Sequence, residues 1–242
     1  MSPPLTYSSV QAPATISIGG VEPCTFIDFP GRLAAIVFTR GCNLRCPYCH
    51  NANLLENTGE NSSRWSDEGL FTFLEQRRGR LSGVVVTGGE PTLHQSLPGF
   101  LRRIKDLGYA VKLDTNGTRP LMLAQVLEQG LVDFIALDAK AHPDHMEAFG
   151  NGGEAWLRSL ALIKNAGISH EFRTTVMADF HDAQHLESLA KVLHGGPTAH
   201  WYLQAVRPGT TLVEGLKAPD RTWLQAQAKR LSCPELPCHL RG

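Results

Sequence analysis

The sequence predicts an α/β fold: a partial (β/α)6 TIM-like barrel with a parallel sheet. Six short apolar runs rich in Val, Ile, Leu and Phe alternate with six segments of helical periodicity. Six strand–helix units with right-handed crossovers curve into a barrel but are too few to close an eight-fold ring. The polar and glycine-rich motifs fall just after the apolar runs, at the strand ends where such barrels carry their chemistry.

Taken in order, residues 1–15 are rich in Pro, Ser and Thr and read as a flexible leader. A β-prone lead-in (Thr15 to Val21) and the Phe29-Pro30-Gly31 turn precede the first buried strand, Leu33 to Thr39. A polar stretch from Asn57 to Ser66 leads to an N-cap at Ser66 or Asp67 and a helix reaching about Gly79. Strands follow at Val84–Thr87, Ala110–Leu113, Phe134–Leu137, Phe172–Met177 and Trp201–Val206. Between them, Leu97, Phe100, Leu101, Ile104 and Leu107 share one helical face. Further helices are expected over Pro120–Gln129, stopped by Gly130, over Glu154–Asn165 before Gly167, and over Ala183–Leu193. Asp220–Leu231 makes the last helix, so residues 16–232 form one domain and 233–242 a C-terminal tail.

The 23 Lys and Arg balance the 23 Asp and Glu, which gives no long-range field for nucleic acid or an anionic membrane. No apolar run is long enough to span a bilayer, and the opening MSPPLTYSSV lacks the layout of a signal peptide. A cytoplasmic location is expected, where clustered cysteines are metal ligands rather than disulfides. Cys24 reads as a buried small residue, and Cys233 and Cys238 as a weak Cys-x4-Cys pair. His142, His145, His181, His185 and His194 fall in polar contexts and are expected to be solvated.

The strongest signal is Gly41-Cys42-Asn43-Leu44-Arg45-Cys46-Pro47-Tyr48-Cys49-His50-Asn51. Three cysteines at Cys-x3-Cys-x2-Cys spacing are one short of the four thiolates of a filled iron–sulfur cubane. One iron is then left open to bind and activate a small molecule. A structural zinc site needs a fourth ligand, and neither His50, directly after Cys49, nor the distant Cys24 suits that role.

Cys42, Cys46 and Cys49, with Tyr48 offering a flat face beside the third, resemble the radical S-adenosylmethionine (SAM) signature. The longer run from Thr25-Phe26-Ile27-Asp28-Phe29-Pro30-Gly31 through Asn51 resembles the glycyl-radical-enzyme activases. Nearest among these are the activating proteins of the anaerobic ribonucleoside-triphosphate reductase, then the pyruvate formate-lyase activases. The resemblance spans roughly residues 16 to 210. It implies a [4Fe-4S] cluster on the three cysteines and reductive cleavage of SAM to methionine and a 5′-deoxyadenosyl radical. The radical would take a hydrogen from a glycine of a partner enzyme, and a flavodoxin or ferredoxin-type donor would supply the electron.

The remaining motifs fall at strand ends. Gly88-Gly89-Glu90-Pro91 brings a side-chain-free backbone edge toward a ligand, with Glu90 offering a carboxylate to an ammonium. It looks like the family motif that binds the methionyl amine of SAM, although two glycines alone suit a plain turn. Asp114-Thr115-Asn116-Gly117 has turn composition. By resemblance, Asp114, Thr115, Asp138 and the Ala136 carbonyl hold a monovalent cation near the SAM carboxylate. Lys140 is read as a partner of that carboxylate or of substrate backbone, or as one end of a surface salt bridge. Arg173, inside an apolar strand, needs a partner and resembles the activase Arg that contacts SAM. Gln204 and Arg207 stand where relatives often carry a His, and no His is present there.

Two further functions compete. One is a radical SAM catalyst on a small molecule, such as a 7-carboxy-7-deazaguanine synthase-like ring contraction. The other is a cluster-binding electron carrier without SAM chemistry, which the Gly88-Gly89-Glu90 motif opposes.

Overall fold

The computed structural model describes residues 16–55, 65–209 and 211–242. The leader 1–15 and most of the polar stretch 57–66 lie outside the described residues. Eight strands form one sheet in sequence order: β1 (Ile18–Thr25), β2 (Ala34–Thr39), β3 (Gly83–Gly88), β4 (Ala110–Thr115), β5 (Phe134–Asp138), β6 (Ser169–Val176), β7 (His200–Ala205) and β8 (Cys238–Leu240). β1 runs antiparallel to β2, and every later neighbour pair is parallel. β1 and β8 are the two ends of the sheet order, so the barrel stays open between them.

Each of β2 to β7 is followed by a helix: α1 (Asp67–Gln76), α2 (Leu97–Asp106), α3 (Pro120–Glu128), α4 (Gly153–Asn165), α5 (Ala183–Leu193) and α6 (Arg221–Leu231). These are the six units that the alternation predicts. The Ser66 hydroxyl caps α1 by accepting from the Gly69 N–H at 3.0 Å. The expected tail is part of the sheet, because Cys238–Leu240 pairs with Trp201, Tyr202 and Leu203 of β7.

Strand alternation sorts the side chains into two environments. Val37, Val84, Val86, Val111, Leu113, Ile135, Leu137 and Phe172 face the helices and form the main core. Ala34, Ile36, Val85 and Ala110 face inward with Phe29 and fill the base of the barrel. A third apolar group, including Leu44, Tyr48, Met146, Phe149 and Met177, lies at the opposite end under the cysteine loop. Burial of that group fixes the rim.

Candidate active site

The cysteine loop leaves β2 through Gly41, whose φ of 84° suits glycine. Gly41 N–H donates to the Leu54 carbonyl at 2.7 Å, Arg45 N–H to Phe149 at 2.9 Å, and Cys49 N–H back to Cys46 at 3.0 Å. The Arg45 guanidinium bonds the Cys42 and Leu44 carbonyls at 2.8 and 3.0 Å. Leu44 is the apolar anchor, 1% exposed. Tyr48 is buried against Phe149, their ring centroids 5.9 Å apart, and Lys140 Nζ lies 5.8 Å from its centroid. Burial pushes its phenol well above the ordinary range.

All three cysteines are free thiols. Burial pushes Cys42 up to about 11 and raises Cys46 as well, so a metal is needed to hold them as thiolates. Thiolates around one tetrahedral zinc stand only about 4 Å apart, given a Zn–S bond near 2.3 Å. Among the described residues, the one trio of His, Cys, Asp or Glu whose ligand atoms all come within 4.8 Å of one another is His194, Cys233 and Glu235. Cys42, Cys46 and Cys49 do not form such a trio, so at least one pair of their sulfurs stands beyond 4.8 Å, which argues against one shared zinc. Leu44 N–H at 3.5 Å and Asn116 Nδ2 at 3.9 Å donate to Cys42 Sγ, the kind of contact that tunes cluster sulfurs. The donor set fits a [4Fe-4S] group.

The glycine motif is welded to this loop. A Cβ on Gly89 would lie 2.1 Å from the Gly41 oxygen, and one on Gly88 2.3 Å from the Thr39 nitrogen. Gly89 N–H bonds Thr39 at 2.8 Å and Glu90 N–H bonds Gly41 at 2.7 Å. These glycines therefore serve backbone-to-backbone contact with the cysteine loop. Glu90 departs from the expectation of a carboxylate open to an ammonium. It is 1% exposed and accepts from Thr115 Oγ1 at 2.8 Å, Asn116 N–H at 2.7 Å, Thr92 N–H at 3.1 Å and the Thr92 hydroxyl. Burial raises its pKa against those four donors. Glu90 braces the rim, and Asn116, which also reaches Asn43 Oδ1 at 3.1 Å, ties it to the cysteines.

Asp114, Asp138, Lys140 and Arg173 meet inside the barrel. Arg173 bridges Asp114 Oδ2 and Asp138 Oδ1, both at 2.9 Å, and Lys140 Nζ holds Asp138 Oδ2 at 2.8 Å. Burial opposes the charge on Asp138, but Lys140 and Arg173 outweigh it and hold the carboxyl at about 2. Burial likewise opposes Asp114, and Arg173 and Lys112 hold it below the ordinary range. Arg173 is half-buried and has the partners its place in an apolar strand requires.

Sequence reasoning missed several participants. Lys112, 1% exposed, bonds Asp114 Oδ1 at 2.7 Å and lies 3.6 Å from Glu171, which Arg241 also pairs at 3.0 Å. Period-two alternation puts Lys112 on the Asp114 face, so a charge inside an apolar strand was the available signal. Asn116 was read only as a turn residue. His181, expected to be solvated, is buried: its Nδ1 accepts from Met177 N–H at 3.1 Å and its Nε2 donates to the Lys140 carbonyl at 2.8 Å. Cys24, expected to be buried, is exposed.

A cleft of about 640 Å³ runs along the open side, from Ile27 and Asp28 near the base to His50, Gln204 and Arg207 beside the cysteine loop. Gln204 is held by Thr175 Oγ1 at 2.8 Å. Among the described residues, no helix is long and apolar enough to cross a membrane.

Comparison with known proteins gives concordant results. The sequence pattern described as the Radical SAM superfamily matches residues 36–193. A provisionally named glycyl-radical enzyme activating enzyme of Methanocaldococcus jannaschii is 30% identical over 184 residues, 73% of this chain and 75% of that protein. The pyruvate formate-lyase-activating enzyme of Clostridium pasteurianum is 26% identical over 182 residues, with the same coverage. Among solved structures, a radical SAM methyltransferase from Sphaerobacter thermophilus superposes with a TM-score of 0.68 at 16% identity, covering 90% of this chain and 68% of that one.

Proposed function

This chain belongs to the radical SAM superfamily, and from that premise we propose that it activates a glycyl-radical enzyme, the anaerobic ribonucleoside-triphosphate reductase. Its similarity to glycyl-radical activating enzymes supports the reaction class. The choice of the reductase rests on the resemblance of Thr25–Asn51 to the activators of that enzyme.

In this reading Cys42, Cys46 and Cys49 hold the [4Fe-4S] cluster, and SAM binds beside it. The bound cluster supplies the low-potential electron that splits SAM into methionine and a 5′-deoxyadenosyl radical. The protein's own residues orient and shield. With the Gly89 and Glu90 N–H groups engaged by Thr39 and Gly41, the backbone edge at Gly88 and Gly89 offers carbonyl oxygens to the ammonium of SAM, while Glu90 and Thr115 keep that edge rigid. Arg173 and Asp138, whose side chains are 20% and 28% exposed, are the charged members that reach the ligand, and Lys140 and Asp114 fix their geometry. Tyr48 closes the apolar floor. A glycine-bearing segment of the partner enters through the cleft on the open side, and the electron comes from a flavodoxin or ferredoxin-type protein.

One observation carries the proposal. Three free thiols and the Asp114–Arg173–Asp138–Lys140 group converge on one rim, joined through Glu90 and Asn116. The test is anaerobic: the reconstituted protein, SAM and reductant are mixed with the reductase large subunit, and EPR is recorded while 5′-deoxyadenosine is quantified. A protein-based doublet that depends on a glycine of the partner supports the proposal. Deoxyadenosine with no such radical removes the reductase as partner and leaves the SAM chemistry standing.

A further inference from the structure

All four carboxylate oxygens of Asp114 and Asp138 already accept from cationic side chains of this chain. Asp114 Oδ1 takes Lys112 Nζ at 2.7 Å, and Oδ2 takes Arg173 at 2.9 Å. Asp138 Oδ1 takes two Arg173 nitrogens at 2.9 and 3.1 Å, and Oδ2 takes Lys140 Nζ at 2.8 Å. With Glu171 included, Lys112, Lys140 and Arg173 stand against Asp114, Asp138 and Glu171, one cation for each carboxylate. Arg241, at the outer edge, adds positive charge on Glu171. The monovalent cation that the sequence resemblance implies does not fit this arrangement. It would compete with ammonium and guanidinium donors for the same oxygens and add charge to a group that, with Arg241, already sets four cations against three carboxylates.

Lys112 is the residue that makes the difference. It sits on the interior face of β4, 1% exposed, with its ammonium 5.8 Å from the Phe134 ring centroid. A lysine is kept at such a depth only with carboxylate partners, and Asp114 is the nearer of its two. Without Lys112, Asp114 Oδ1 would lose its donor, and only Arg241, at the outer edge, would be left to pair Glu171.

We infer that Lys112 is a built-in replacement for the monovalent cation, so that this chain organises Asp114 and Asp138 for its ligand without Na⁺ or K⁺. The inference rests on the SAM reading above for its ligand and on the ion-pair geometry for its ion.

Two measurements on the cluster-reconstituted protein separate these supports. Sodium-23 NMR of the SAM-free protein should show no K⁺-displaceable line broadening. SAM dissociation constants in sodium, potassium and tetramethylammonium chloride, at one ionic strength, should agree within about twofold. Displaceable broadening, or an affinity about tenfold weaker in tetramethylammonium, overturns the inference. If SAM fails to bind in all three salts, the SAM reading falls, and the sodium spectrum still decides the question of the ion. Lys112→Met should acquire both the broadening and at least about a fivefold preference for Na⁺ or K⁺ in SAM binding, whereas Lys112→Arg should acquire neither. A folded Lys112→Met protein with no ion preference overturns the inference. Should that variant fail to fold, the two wild-type measurements decide it alone.

Discussion

Strands β2 and β3 turn Ala34, Ile36 and Val85 into the barrel against Phe29, whereas β4, β5 and β6 turn Lys112, Asp114, Asp138, Glu171 and Arg173 into the same space. The apolar half delivers the cysteine loop, and its glycines bring two backbones together so tightly that any side chain would clash. The charged half supplies no candidate iron ligand, but its ion pairs reach the rim beside the cysteines. One half thus fixes position through packing, which is short-ranged and rigid. The other sets charge, which is costly to bury and therefore has to be matched residue by residue.

The largest loss is expected from Cys46→Ala in the loop carried by the apolar half. Visible iron–sulfur absorbance and 5′-deoxyadenosine release should both vanish, while circular dichroism stays that of the folded protein. Arg173→Met breaks the charged half. It strips a shared partner from the buried Asp114 and the half-buried Asp138 and should cost about 3 kcal/mol, the low end for a buried pair, in urea unfolding of the metal-free protein. Iron content after reconstitution should stay near wild type, because no cysteine contact is touched.

A smaller effect sharpens the electrostatic side. Burial holds His181 neutral, with its pKa lowered from 6.5 to about 4. As pH falls through that window the unfolded chain takes up a proton that the folded chain refuses, so stability present above pH 6.5 is progressively lost. The loss should be on the order of 3 kcal/mol by pH 4, and His181→Gln should flatten the pH dependence of the urea midpoint there. The smallest effect tests the apolar base. Ile36→Val should cost about 0.5–1.5 kcal/mol and leave SAM affinity unchanged in a dialysis assay.

Much of the fold was legible because buried parallel strands are continuous apolar runs and their helices repeat at 3.6 residues. β8 escaped notice because Cys238–Leu240 is too short to carry a period and follows a proline-bearing turn. The seven-residue 3-10 segment Pro143–Phe149, which covers the cysteine loop with Met146 and Phe149, has no such period either. His181 was misread because its two partners are a backbone N–H and a carbonyl, and these leave no mark in composition. Glu90 was recognised as important, but its contacts with Thr115 and Asn116 come from a different strand end.

By itself the sequence determined the alternation of six strands and six helices, the three-thiol set, and the strand ends on which each motif lies. These follow from local periodicity and spacing, which any short window of residues contains. Tertiary structure alone decided which charges meet. Arg173 reaches Asp114 across 59 residues and Asp138 across 35, and Lys112 faces Glu171 from two strands away. Alternation states the face on which a residue lies, but its partner on that face depends on the register and curvature of the sheet, which exist only once all the strands have paired.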